Sequence, residues 1–466
     1  MEPSLNLSDL PPETITELLY NIKDLKTLAN LCQTNKRIHA ICENEMFWKE
    51  KYRRHFRHLP SEVNLPWKEQ YKLAYTVPIS PISAGYGSHS IIDNENMLYM
   101  GGRDSILYGF HEYDEQSSSG NIIKLAKLSP FQQKVRSVSH ASSYVGAVTD
   151  DGKVYFWGEN LGDILGESMV PIPKEFKIPG KAIKISCGPK IGIYSAAFAV
   201  ILEDRSVFLR MNYFVHSELY HLEMGNLRTM LNIIIGKDDA TKNIKALDIS
   251  INGNSLAIVS TDGKLYYLGK LLNSLGIYNL NNSMDVGVIY KDGQIVVNPV
   301  HIYLPETIKQ VSLADDYIGV LSTKGNIYLW GSNRYGQLGQ GRELEMAENV
   351  DGPLKLTFPV PISFLTCNYY ATAAIEENGK LYIWGRNTIS AKSSITTDSY
   401  KYANLGDVYI NANLYRTSGF NRPIEIGLLH NNTNTESKFN YVAIGGSHIV
   451  ATTNDGYVNI WSSGDN

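Results

Sequence analysis

The chain has 466 residues, 43% hydrophobic, 19% charged and 11% aromatic, with a formal net charge of −4 at pH 7. This is the composition of a globular protein, and it excludes a chain whose main task is coating nucleic acid, which needs clustered Lys and Arg. The length calls for one large repeat domain or two to three ordinary ones, and 30 Tyr with 38 Gly favour pleated strands between tight turns.

The opening residues, MEPSLNLSDLPPE, have neither a basic start nor an apolar run, so no secretory signal is expected. From Ser8 to Phe56 the spacing predicts three or four short amphipathic helices. Ser8 or Asp9 is the expected cap of the first, which places Ile15, Leu18, Leu19 and Ile22 at helical spacing. The second carries Leu25, Leu28, Leu31 and Cys32 on one face. The third has Ile38, Ile41 and Cys42, and MFWKEKYRRHF follows with Phe47, Trp48, Tyr52 and Phe56.

Leu10-Pro11 with Glu13, then Leu18-Leu19, Asp24-Leu25 with Leu28, Cys32, Lys36-Arg37 and Phe47-Trp48-Lys49 follow the order of an F-box. Residues 1–56 therefore resemble the module by which substrate receptors dock on the Skp adaptor, and through it a cullin. The resemblance implies adaptor contacts from Leu10, Pro11, Glu13, Ile15, Leu18, Leu25, Leu28, Leu31, Cys32 and Trp48. The competing expectation is a private helical lid with no partner. Residues 57–76, with PWKEQYKLAY, read as a helical linker with no Gly/Ser-rich stretch, which predicts a fixed geometry.

Residues 77–466 carry a repeated strand–turn–strand signature. Its strongest copies are VTDDGKVYFWGEN, LSTKGNIYLWGSN and IEENGKLYIWGRN, with turns at Gly152, Gly325 and Gly379. Such turns supply the positive φ that a two-residue hairpin needs. Aligned on the strand after the turn, the copies fall at Tyr99, Tyr155, Phe208, Tyr266, Tyr328, Tyr382 and Asn459. Seven hairpin units of this length predict a seven-bladed β-propeller, mainly β, behind a small all-α module. The copies at Tyr99 and Phe208 lack the glycine; the count of seven rests on accepting both, and six blades is the alternative. Trp157, Trp330, Trp384 and Trp461 share one repeat position, expected to pack between blades.

GSNRYGQLG (Gly331–Gly339) and GENLGDILG (Gly158–Gly166), with AGYGSHS ending at Ser90, resemble the regulator of chromosome condensation repeat family. The founding member is a nucleotide exchange factor for a small GTPase, so that activity is one expectation. The last copy lacks the segment that follows Trp-Gly elsewhere, and residues Tyr75–Ser83 are expected to supply its missing outer strand.

Cys32, Cys42, Cys187 and Cys367 form no CxxC pair and have no His cluster at zinc-ligand spacing, which predicts reduced structural thiols and no metal or cofactor. No apolar run is long enough for a membrane helix; IGIYSAAFAVIL from Ile191 reads as a buried strand. A soluble protein of cytoplasm or nucleus is expected. No nucleophile elbow, metalloprotease motif, P-loop or dinucleotide fingerprint occurs. Asp150-Asp151 and Asp315-Asp316 sit where turns favour Asp, and His89 and His448 are expected to make a hydrogen bond within their blades.

The expected function is then substrate recognition in a Skp–cullin–F-box ubiquitin ligase. The propeller grips an unidentified target protein and other subunits transfer ubiquitin. Arg334 and Tyr335, and Arg386 with Asn387, are the target-binding candidates, since Tyr and Arg are enriched at interfaces. The alternatives are a GTPase exchange factor or chromatin-associated propeller, and an F-box scaffold that causes no turnover.

Overall fold

A computed structural model describes residues 10–22, 25–56, 66–76, 78–93, 95–102, 126–127, 133–159, 161–188, 196–215, 227–252, 255–269, 287–291, 294–341, 350–368, 370–386, 400–402, 406–410, 419–426, 438–446, 448–454, 456 and 458–462. The chain divides into two compact units, Met1–Val77 and Pro78–Asn466.

The first unit contains α1 (Pro12–Asn21), α2 (Leu25–Cys32), α3 (Lys36–Cys42), α4 (Glu45–Phe56) and α5 (Trp67–Thr76). The expected caps Ser8 and Asp9 lie outside the described residues; Pro11 occupies the N-cap, and the helix starts on Pro12. Ile15, Leu19, Leu28, Ile38, Phe47, Trp48, Tyr52 and Tyr71 form the core. Its least expected member is Lys51, which is fully buried. Its ammonium donates to the carbonyls of Leu19, Tyr20 and Ile22 at 2.7, 2.9 and 2.8 Å. Those are the orphan carbonyls at the end of α1, which has no glycine there to turn back and satisfy them. Burial pushes Lys51 down to about 8 while the carbonyls hold its proton.

The expectation of reduced thiols fails at one pair: Cys32 and Cys42 are joined in a disulfide, with Cα atoms 5.8 Å apart. The short turn between α2 and α3 brings together the last residues of both helices. Cys187 and Cys367 are free and buried, as expected.

The second unit holds seven sheets that follow one another along the chain. Blade 1 contains β1 (Ile82–Ala84), β2 (Ser88–Ile92), β3 (Leu98–Gly102) and β4 (Ala126–Lys127). Blade 2 contains β5 (Val135–His140), β6 (Tyr144–Thr149), β7 (Val154–Glu159) and β8 (Met169–Phe176), and blade 3 β9 (Ala182–Gly188), β10 (Ala197–Leu202), β11 (Val207–Val215) and β12 (Leu227–Ile235). Blade 4 is β13 (Ala246–Asn252), β14 (Ser255–Ser260), β15 (Leu265–Gly269) and, after a separate hairpin of β16 (Val288–Lys291) and β17 (Gln294–Val297), β18 (Val300–Ile302). Blade 5 is β19 (Ile308–Leu313), β20 (Tyr317–Ser322), β21 (Ile327–Gly331) and β22 (Val350–Leu356).

Blade 6 is β23 (Ile362–Asn368), β24 (Ala371–Glu376) and β25 (Leu381–Arg386), completed by β28 (Gly419–Ile426) after the inserted β26 (Tyr400–Tyr402) and β27 (Gly406–Ile410). Blade 7 is β29 (Phe439–Ile444), β30 (His448–Thr453) and β31 (Val458–Ser462). The second strands of blades 2 to 6 are buried at every position, because each is covered on both faces. Trp157, Trp330 and Trp384 are fully buried in clusters that join neighbouring blades.

The two glycine-less repeats are blades 1 and 3, and each keeps the turn by another route. Asn96 (φ 64°) and Arg205 (φ 68°) take the left-handed conformation that Gly152, Gly263, Gly325 and Gly379 adopt elsewhere. At all six positions the carbonyl accepts a hydrogen bond from the first inner-strand amide of the next blade; Asn96 receives Val135 at 2.7 Å and Gly325 receives Ile362 at 2.9 Å. The turn conformation thus aims a carbonyl at the neighbouring blade.

A second row of contacts joins the inner strands. The inner strand of a blade has only one ladder partner, so its other edge needs acceptors for its amides. Ser83, Ser139, Ser186, Ser250 and Ser312 each accept, through Oγ, the amide of the following blade, from His140, Cys187, Ile251, Leu313 and Cys367 respectively, at 2.8–3.1 Å. Two residues upstream, Asp248 and Gln310 repeat the device for Val311 and Leu365. Asp248 also holds the ammonium of Lys184, which reaches the carbonyl of Pro78.

Closure of blade 7 departs from expectation. Ile82–Ala84 does not complete blade 7; it pairs antiparallel with β2 as the inner strand of blade 1. The outer partner of β31 is β27, which lies parallel to it with Val408 opposite Val458. The strand comes from the insertion between β25 and β28.

Candidate functional site

Successive strands of a blade run antiparallel, so the turn after its first strand and the loop after its third emerge at the same end. In blades 5 and 6 that end brings together Tyr335, from the loop after β21, and Tyr370, from the turn before β24. Their rings lie 4.7 Å apart. The guanidinium of Arg386, at the end of β25, sits 5.4 Å from the centre of Tyr335 and 5.7 Å from that of Tyr370. Arg334 lies 5.7 Å from the Tyr335 centre. Both arginines are exposed, and no carboxylate among the described residues lies within ion-pair distance of either. The loop is held by its own polar groups: Asn333 accepts the Leu338 amide at 3.1 Å, and Gln337 accepts that of Tyr335 at 2.8 Å.

Three of the four target-binding candidates therefore meet: Arg334, Tyr335 and Arg386. Asn387 lies outside the described residues. Tyr370 was missed, because a turn residue far from Tyr335 in sequence carries no motif.

Beside this cluster a cavity of about 160 Å³ opens where the seven inner strands converge, edged by Asn252, Asp315, Asn368 and His140. Burial, and the like charge of Asp316, push Asp315 up to about 6. Asp316 is raised by burial and held back by Ser332 and Arg334. Asp315 and Asp316 do occupy the expected turn, between β19 and β20.

His89 departs from the expected hydrogen bond. Neither ring nitrogen of His89 has a hydrogen-bond partner among the described residues; its ring packs 5.1 Å from that of His448, across blades 1 and 7. Gly445 makes room, since a Cβ there would stand 2.6 Å from the His448 ring. His140 of blade 2 instead bonds Ser90 at 2.9 Å and approaches Ser88 at 3.3 Å. Burial drives His89 well below its ordinary value, His140 to about 3 and His448 to about 4. Burial likewise pushes the Cys367 thiol up to about 12 and Cys187 higher, so neither is a nucleophile.

The helical unit sorts its candidates by exposure. Ile15, Leu28 and Trp48 are core residues, Leu10, Leu25, Leu31 and Cys32 are half-buried, and Pro11, Glu13 and Leu18 face outward, Leu18 being 44% exposed. The Trp48 indole donates to the carbonyl of Cys42 at 2.6 Å, a structural bond inside the unit. Among the described residues no group of His, Cys, Asp and Glu could hold a metal, and no helix is long and apolar enough to cross a membrane.

Residues 324–375, from the turn of blade 5 into blade 6, match the regulator of chromosome condensation (RCC1) repeat. The chain is 22% identical over 263 residues to the Arabidopsis thaliana ultraviolet-B receptor UVR8, covering 55% of this chain and 54% of the receptor's length. It is 23% identical over 353 residues to the human RCC1-like G exchanging factor-like protein (68% of this chain, 69% of that protein). Over 77% of its length it is 23% identical to the mouse E3 ubiquitin-protein ligase HERC2, of which it spans 7%. Among solved structures, human WBSCR16 superposes with a TM-score of 0.55 at 18% identity, covering 81% of this chain and 87% of that one. Prp20p from Saccharomyces cerevisiae gives 0.54 at 18% identity, with 80% and 81% covered. Sheet order, repeat and likeness converge on one conclusion: the chain carries an RCC1 repeat in a seven-bladed RCC1-like β-propeller.

Proposed function

We propose that this chain is the substrate-recognition subunit of a Skp–cullin–F-box ubiquitin ligase, its helical unit docking the Skp adaptor and its propeller binding a target protein. The observation that carries the reading is the division of labour in the helical unit. Ile15, Leu28 and Trp48 close its own core, while Pro11 and Glu13 at the start of α1 and Leu18 in its second half face outward. An outward leucine on a short helix behind a proline is the kind of anchor a helical groove takes. The order of residues from Leu10 to Lys49 supports the same reading, as does the similarity of the propeller to a protein named as a ubiquitin ligase. The chain's part is positioning: tethering raises the effective concentration of a target lysine near the charged conjugating enzyme.

The test is recovery of the Skp adaptor by the full-length protein. Leu18→Asp with Pro11→Ala abolishes recovery if the reading holds. Recovery of no adaptor by the unaltered protein, or equal recovery by the variant, sinks it. Stable recovery of adaptor without change in target abundance marks a scaffold that causes no turnover. A second reading, nucleotide exchange on a small GTPase, is favoured by similarity to a protein named as a G exchanging factor. Accelerated release of labelled GDP from a GTPase, unaffected by Leu18→Asp, supports it instead.

A further inference from the structure

The arginine–tyrosine cluster of blades 5 and 6 combines features that single charged side chains on a surface do not. Arg386 lies within cation–π distance of two rings and Arg334 of one of the same rings, an attraction that favours these positions before any partner arrives. A guanidinium drawn to a ring can still present its N–H edge outward, the part that grips a carboxylate bidentately. Neither has an ion-pair partner among the described residues. Arg334 feels the Asp316 carboxylate only beyond ion-pair distance, and a cation already biased toward its place gives up little rotamer freedom on binding, which is where a preorganised surface gains its affinity.

The sign of the partner follows from the charge. Asp315 lines the cavity, Asp316 follows it in the same turn, and the whole chain carries −4. A continuous polyanion such as nucleic acid would meet those carboxylates and find only two arginines in the cluster, whereas its binding depends on many cationic contacts. A protein segment can place its acidic groups on the rim alone. Because both guanidiniums are held against the Tyr335 ring, one extended segment can reach both: side chains on one face of a strand repeat at roughly 7 Å.

We propose that Arg334 and Arg386, held on Tyr335 and Tyr370, anchor an extended acidic segment of the target protein that presents carboxylates at alternate positions. This rests on the reading that the propeller grips a protein. It names the surface and the chemistry of the segment.

The test is selection of a displayed library of random peptides on the full-length protein, followed by anisotropy titration of the best labelled peptide. Enriched peptides should carry Asp or Glu at alternate positions. Arg334→Gln and Arg386→Gln should each weaken binding by about tenfold, the usual scale of one charge-assisted contact. Tyr335→Phe, which keeps the ring, should leave it within roughly twofold. Both arginines are exposed, so the variants should keep the parent melting temperature, which is measured alongside. Neutral or basic enriched peptides, no enrichment, or affinity indifferent to both arginines would overturn the proposal. So would arginine-dependent binding of a single-stranded RNA oligonucleotide in preference to every selected peptide. The arginine variants leave adaptor recovery unchanged, and Leu18→Asp leaves peptide selection unchanged, so failure of this proposal is separable from failure of the ligase reading.

Discussion

The carbonyl of Arg205 accepts a 2.8 Å hydrogen bond from the amide of Ala246, joining the turn of blade 3 to the inner strand of blade 4. Arg205 does this from a left-handed backbone that an L side chain adopts only at a cost of about 1 kcal/mol. That conformation persists at a residue without glycine's freedom, so the carbonyl's direction is what the turn conserves from blade to blade.

The same junction predicts the outcome of filling a turn. A Cβ at Gly325 would stand 2.4 Å from Cβ and 2.7 Å from Cα of Pro361, with φ at +79°. Gly325→Ala should destabilise the propeller by about 2–4 kcal/mol, through backbone strain and displacement of Ile362. Gly162→Ala, where nothing lies within 4 Å of the added Cβ, is the control and should change little. Urea unfolding followed by tryptophan fluorescence separates the two.

Ser312 accepts the amide of Cys367 and donates to its carbonyl. Ser312→Ala leaves a buried amide without its acceptor, and about 1–3 kcal/mol should be lost. Ser312→Thr keeps the hydroxyl and should recover most of it. Equal stability of Ser312→Ala and the parent protein would show that the row of serines does not hold the blades together.

Three buried histidines set the acid side of the stability profile. In the unfolded chain each titrates near 6.5, whereas in the fold His140 and His448 stay neutral down to about 3 and about 4. Between those limits the unfolded state binds more protons. Stability is therefore complete above about pH 6.5 and falls as the pH drops toward 4. His448→Gln should flatten this slope, measured as melting temperature from pH 7 to pH 4; a slope unchanged by the substitution would exclude the histidine from it.

Lys51→Met removes the donor shared by three carbonyls at the end of α1 while keeping much of the side chain's length. Loss of the helical unit's cooperative melting, or a cost of about 2–4 kcal/mol, is expected. Circular dichroism of the full-length chain at the helical wavelengths reads it, and a Met variant as stable as the parent would refute the capping role.

What could be read from residues alone depended on whether the physical demand leaves a residue signature. Glycine turns do, since few residues tolerate positive φ, and five blades declared themselves by this, four through Asp-Gly or Asn-Gly and one through Lys324-Gly325. Asn96 and Arg205 meet the same demand without glycine, so blades 1 and 3 stood on strand pattern alone. The hydroxyl row was in plain view as Ser83, Ser139, Ser186, Ser250 and Ser312, but a serine in a strand states no partner until the next blade is beside it. Arg334, Tyr335 and Arg386 were legible from repeat position, whereas Tyr370 joins them only through the fold. The parallel pairing of Val408 with Val458 was hidden because it arises from a polar insertion with no alternating pattern. Cys32 and Cys42 fell outside any recognised spacing, their proximity being created by the way α2 and α3 pack.

The parallel strand β27 also bears on how the ring can assemble. Val408 and Val458 are only fifty positions apart, whereas a strand taken from near Ile82 would have to close a loop of almost the whole propeller. Loop-closure entropy makes the local route cheaper by roughly 2 kcal/mol. The outer edge of blade 7 can therefore be sealed as soon as its own three strands form, before it meets blade 1. Circularisation then becomes a late docking of two finished sheets rather than the insertion of a strand into an open one, and a ring caught before that step exposes a side-chain surface instead of an unpaired edge on which other chains could add.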